Sequence, residues 1–175
     1  MARINVTIKG VAPLLQHRYP GEKEDVKITK VRGVRDYSDE AEKALYRNER
    51  GEIYEPAEHI LGAMIKAAVD FKITGRGKKT YKDLIKSAVV IDPEAIPHKK
   101  QKWIVDRRGV VVQRARIMRE RPKFEDWELS FVIETLDEQL ASSAVKDILD
   151  QAGKVGIGDF RPRFGRFMVT EFKEI

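Results

Sequence analysis

The chain has no cysteine, and only seven of its residues are Asn or Gln. Without cysteine there is no disulfide framework, no thiolate metal site and no thiol nucleophile, which suits a reducing or hot interior. Scarce amides beside abundant Lys, Arg and Glu point to a thermophilic source. The three histidines, His17, His59 and His98, are too widely spaced for an HxxxH or HExxH pair, so neither a metal nor a cofactor is expected. No window approaches the roughly 18 apolar residues of a membrane span. The opening MARINVTIKG alternates like a strand, without a signal-peptide core, so the expected location is the cytoplasm. A Walker loop is missing too: GRGKKT at 75–80 has neither the preceding strand nor the required spacing, and TGRGKKT reads as a mobile basic loop.

What the chain does have is charge. Of its 175 residues 35% are charged and 42% hydrophobic, enough for one core beneath an unusually ionic surface. The net charge of +6 is unevenly distributed. Residues 98–123 carry ten cations (Lys99, Lys100, Lys102, Arg107, Arg108, Arg114, Arg116, Arg119, Arg121, Lys123) against Asp106 and Glu120, a local +8 that leaves the remainder at −2. Such segregation marks a polyanion-binding surface, because each cation placed on a phosphate releases condensed counterions. A solvated, Lys/Arg-rich hairpin is the plainer alternative.

Hydrophobic periodicity places strands at RINVTIK, SAVVIDP, WELSFVIETL and GRFMVTEF. EPAEHILGAMIKAAVDF predicts a core helix with Ile60, Leu61, Met64, Ile65, Ala68 and Val69 inward, Gly62 marking either a close backbone approach or a simply tolerated glycine. A second core helix is capped by Ser142 or Ser143, turns Val145, Ile148 and Leu149 inward and stops at Gly153. A short exposed helix is expected over SDEAEKALYRNERG, capped by Ser38 and ended by Gly51, and another from Thr80 to Ile85. WIVDRRGVVV reads as a hairpin turning at Asp106–Gly109. In the extended RARIMRERPKF after it, Arg114 and Arg116, then Arg119 and Arg121, share a face at period two. Removing insertions at about 18–55 and 92–126 leaves strand, helix, strand, strand, helix, strand over 1–175. That order defines one α+β, ferredoxin-like (βαββαβ), RRM-like domain with an inserted basic β-arm.

The segment KVGIGDFRPRFGRF, 154–167, joins the second core helix to the last strand. Turns alone account for its glycines, but not for arginines interleaved with Phe160, Phe164 and Phe167. Glycines let backbone amides approach phosphate, arginines fork onto phosphate or stack on bases, and an aromatic ring offers a stacking platform. The site expected from the residues is therefore Lys154, Gly156, Gly158, Arg161, Arg163 and Arg166 in this loop, with Lys99, Lys100, Lys102, Arg107, Arg108, Arg114, Arg116, Arg119 and Arg121 along the arm.

EPAEHILGAMIKAA, KWIVDRRGVVVQRARIMRERPKF and GKVGIGDFRPRFGRF together resemble the RAMP superfamily of CRISPR RNA-binding proteins, most closely the subunits that form the backbone along a guide RNA. The resemblance implies RNA binding and head-to-tail assembly into an oligomer or filament; with the residues it makes the expected function binding of single-stranded nucleic acid, RNA before DNA, without turnover. Some members of that superfamily are metal-independent endoribonucleases. For that alternative His17 and Tyr19 in QHRYP, with His59, are the catalytic candidates, since the chemistry needs a base near neutral pKa and an acid for the leaving oxygen. His98, beside two lysines, reads as part of the cationic arm. A structural or assembly protein of a virus or filament, whose arm docks on an acidic neighbour, is the third reading.

Overall fold

Alternating apolar residues give the central strand its inward face: Ile4, Val6 and Ile8 of β1 (Arg3–Gly10) are all buried. The structure, a computed structural model, describes residues 1–19, 38–112 and 114–175. After β1 come β2 (Leu14–Leu15), α1 (Ser38–Lys43), β3 (Tyr54–Pro56), α2 (Ala57–Ala67), α3 (Lys82–Ala88), β4 (Val89–Asp92) and β5 (Ala95–Pro97). The chain continues through β6 (Ile104–Val112), β7 (Ala115–Phe124), β8 (Glu128–Thr135), α4 (Ser142–Val155) and β9 (Phe167–Glu174). Among the described residues no helix is long and apolar enough to cross a membrane.

The main sheet has the order β4-β8-β1-β9 with every neighbour antiparallel. With α2 and α4 supplying the crossovers, this is the ferredoxin-like topology. The core lies between sheet and helices. Ile60, Ala63, Met64 and Ala67 of α2 and Val145, Ile148, Leu149 and Ala152 of α4 meet Leu129, Phe131 and Ile133 of β8 there. The two helices run in opposite directions. The amide of Ala57, opening α2, bonds to Glu94 beyond the end of β4, whereas α4 follows the far end of β8 and arrives where Gly10 pairs with Phe167.

Two smaller sheets carry the insertions, β2-β7-β6 and β3-β5. Residues 20–37 of the first insertion lie outside the described residues. The long β6–β7 hairpin is the expected arm, but its turn is not at Asp106–Gly109. β6 runs straight through those residues, and the ladder continues to Val112↔Ala115, with Arg114 following at φ 69°. Asp106 and Arg107 find cross-strand partners in Arg121 and Glu120, so turn-prone residues are held extended by the ladder. A strand also has two faces. Arg119 and Arg121 share one with Asp106 and Arg108, while Arg116 points to the other, because 116 and 119 are three positions apart, an odd step along the strand.

Other expectations shift. The helix at 38 ends at Lys43 rather than near Gly51, and Ala41, Ala44 and Leu45 are buried against the body of the protein rather than exposed. α3 spans Lys82–Ala88, and neither it nor α4 has a side-chain cap: Tyr81 and Ala141 stand at their N-caps, not Thr80, Ser142 or Ser143. Gly62 has open space around it, Val69 is exposed, and β4 is buried on one face only, as in a sheet that helices cover from one side. Gly153 does not end α4. It lies inside the helix where α4 meets the backbone of Phe167, and Gly156 forms the cap.

Candidate nucleic-acid interface

The loop from Gly156 to Arg166 closes on itself and on the start of the chain. Ile157 donates to Gly165 (3.0 Å), Gly165 to Pro13 (2.8 Å) and Asp159 to Leu15 (2.9 Å). Its glycines serve this packing. At Gly165 (φ 73°) an added Cβ would lie 1.8 Å from the Ile157 carbonyl, and at Gly158 (φ 74°) 2.4 Å from that of Leu15. The Gly156 amide is already committed to Ala152 (2.9 Å). Gly156 and Gly158 therefore shape the loop, and the groove beside it is lined by side chains.

That groove, about 540 Å³ in volume, is open to solvent between the end of α4 and the start of β9. Lys154, Arg163 and Arg166 line it, over a base made of Val11, Gly153, Pro162 and Phe167. Lys154, Arg161, Arg163 and Arg166 are all exposed and have no ion pair among the described residues. A lysine in the last turn of a helix is favourable simply as a complement to the helix dipole, which accounts for Lys154 alone. Arg163 and Arg166, unpaired beside it in the groove, leave a surplus of positive charge, whereas Arg161 is exposed but does not line the groove.

The arm differs. Lys99 and Lys100 pair with Glu128 and Asp126. Arg107 pairs with buried Glu120 (2.5 Å), Arg108 with Asp106 (2.5 Å), Arg119 with Glu40 (2.8 Å) and Lys123 with Glu125 (3.2 Å). Arg121 is nine-tenths buried and pairs with Asp159. Only Lys102, Arg114 and Arg116 of the ten have no ion pair among the described residues. The local +8 is thus largely cancelled by carboxylates, five of them from outside the stretch, and the arm and loop do not form one uniformly electropositive face. The exposed pairs of Lys99 and Lys100 are weak, about 0–1 kcal/mol, and a phosphate can take over either lysine.

Arm and loop do meet at the base of the hairpin. The Arg108 guanidinium lies 5.2 Å from the Phe160 ring centre and 4.6 Å from that of Phe164, and Arg121 lies 5.4 Å from Phe160. Phe164 and Phe167 belong to the core, whereas Phe160 stays 38% exposed in a left-handed conformation (φ 55°). Asp159, the one acid of the loop, is the residue the sequence reading passed over. Its isolation among cations was the available signal.

The catalytic candidates His17 and His59 do not come together. His17 Nδ1 is 3.8 Å from Asp159 and 3.5 Å from the Arg121 guanidinium. Partial burial and then Arg121 lower its pKa, against the opposing pull of Asp159. Tyr19 is exposed. His59 belongs to a different cluster: its Nδ1 lies 2.6 Å from fully buried Glu55, which also accepts from Gln16 (2.8 Å) and faces His98 Nε2 at 3.6 Å. His98 is therefore not on the cationic arm. It is buried and stacked on Phe124 at 4.5 Å, because β5 turns inward immediately before the exposed lysines. Burial alone would raise the Glu55 carboxyl, but the hydrogen bond with His59 and the nearby His98 ring outweigh it and hold it at about 2. Among the described residues no three ligating side chains are placed to hold a metal ion.

No family model matches the chain, and no curated protein does. Among solved structures it matches a chain of the Type III-B Cmr-beta bound to cognate target RNA, seen by cryo-EM, with a TM-score of 0.65 at 11% identity. The match covers 99% of this chain and 60% of the other, so this chain spans about three fifths of its neighbour's length. At that identity the comparison establishes a shared α+β fold.

Proposed function

We propose that the protein binds single-stranded RNA without cleaving it, holding phosphates in the groove of Lys154, Arg163 and Arg166. The observation that carries this reading is the cluster of unpaired cations on a loop whose backbone is fixed by its own hydrogen bonds. Preorganised guanidinium forks suit phosphate, and Phe160 adds an exposed ring beside them. The shared fold with a chain of an RNA-bound assembly supports RNA over DNA. Arg114 and Arg116 extend the contact at the arm's tip. Assembly beside further subunits along the strand belongs to the same reading, and the outer arm face, with Val105, Val111 and Met118 exposed, offers the surface for it.

Titration of a labelled single-stranded RNA at several salt concentrations tests this. Log affinity is expected to fall linearly with log salt, by about 0.7 per phosphate neutralised. No affinity at low salt removes the reading in favour of an assembly protein.

A second reading, metal-independent cleavage, rests on His17. A lowered pKa keeps it neutral near pH 7, as a general base requires, and Asp159 lies near enough to orient it. Cleavage in the presence of chelator, lost in His17→Ala, is its expected sign; an RNA left intact by the wild type ends it.

A further inference from the structure

A second cationic surface lies away from the groove. Residues 72–82 contain Lys72, Arg76, Lys78, Lys79 and Lys82 and no acid. All five are exposed, and none has an ion pair or side-chain hydrogen bond among the described residues. This contrasts with the arm, where carboxylates answer most cations. The segment is also ordered by its own backbone rather than loosely attached. Ile73 donates to Lys79 (2.9 Å), Tyr81 to Phe71 (3.0 Å), and Arg76 and Lys79 close successive turns, with Gly75 and Gly77 at positive φ. Phe71 and Tyr81 anchor its two ends on the core.

Its position follows from the antiparallel helices. The segment follows α2 and so sits at the Ala2–Thr135 end of the main sheet, where β4 begins. The groove lies at the opposite end, where α4 finishes. The 14 residues of α4 separate the two by about 20 Å. Between them the surface of α4 carries Lys146 paired with Asp150, so no continuous basic track joins them.

We propose that residues 72–82 form a second, separate phosphate-binding surface, engaged by a single strand long enough to leave the groove and reach the other end of the molecule. Nucleic acid fits better than an acidic protein. The segment exposes cations, Thr74 and glycines and no large apolar side chain, whereas protein interfaces rely on buried aromatic or apolar anchors.

This inference rests on strand binding at the groove, and strand length separates the two. Short RNA of roughly five nucleotides and long RNA of about thirty are titrated against wild type and the Arg76→Ala/Lys78→Ala/Lys79→Ala variant, bracketing typical site sizes. The variant is expected to bind the short strand like wild type. For the long strand it should lose affinity, with a salt slope shallower by about 2, three contacts at about 0.7 each. Replacement of Lys78 and Lys79 by Arg should keep the long-strand affinity. Indistinguishable long-strand binding by the alanine variant overturns the second surface while leaving the groove intact; failure of the wild type to bind either strand overturns the groove reading itself.

Discussion

Arg121 of β7 and Asp159 of the glycine loop form an ion pair that pins the loop to the base of the basic arm. The pair is reinforced from both sides. Arg121 and Arg108 reach the ring of Phe160, the residue next to Asp159, so the loop cannot shift without dragging the hairpin. Arg121 is nine-tenths buried and Asp159 about two-thirds, which makes the pair costly to break from one side.

Arg121→Ala is accordingly expected to lower stability by on the order of 2 kcal/mol, because it leaves a partly buried carboxylate without its cation. In a chain this size that is about 4–8 °C of melting temperature. Asp159→Asn added to Arg121→Ala should cost much less than the sum of the single changes, and a double-mutant cycle by calorimetry checks this. Strict additivity would show that the two residues do not interact.

Gly165→Ala should be among the most damaging single changes in the loop. It combines a positive φ with a Cβ placed 1.8 Å from the Ile157 carbonyl. A loss of roughly 3 kcal/mol is expected, while Gly62→Ala, with nothing around it, should be neutral or slightly stabilising. Urea unfolding of the two variants side by side measures the contrast.

The Glu55 cluster predicts a pH response in a defined window. The folded carboxyl is held at about 2, below its ordinary value of 4.5. It therefore contributes stability that is complete above about pH 4.5 and is lost as pH falls toward 2, on the order of 3 kcal/mol in all. Glu55→Gln should be less stable at neutral pH and should flatten the decline across that window. A variant declining as steeply as wild type between pH 4.5 and 2 would place the titrating group elsewhere.

Much of the fold was legible because its signals are periodic. Ile4, Val6 and Ile8 alternate in the sequence and are buried in the sheet, and the order of strands and helices specified the topology. Turns and caps were less legible, since DRRG has turn-forming composition and only the ladder opposite it holds it straight. The split of the arm arginines could have been read from parity alone, residue 116 being even and residues 119 and 121 odd. The neutralisation of the arm could not. Glu40, Asp126, Glu128 and Asp159 come from other parts of the chain, and charge pairing across such separations follows from tertiary contact rather than local pattern. The burial of His98 was hidden for a similar reason: its neighbours Lys99 and Lys100 are surface residues, while the residues that enclose it, Glu55 and Phe124, are distant in sequence.

The account turns on the groove beside the glycine loop, and salt-dependent binding of single-stranded RNA by Arg163→Ala/Arg166→Ala tests it most directly. Both side chains are exposed and unpaired among the described residues, so the fold should survive their removal. The account predicts weaker binding for every sequence tried and a salt slope shallower by about 1.4, two contacts at about 0.7 each. Affinity and slope equal to those of wild type would contradict it.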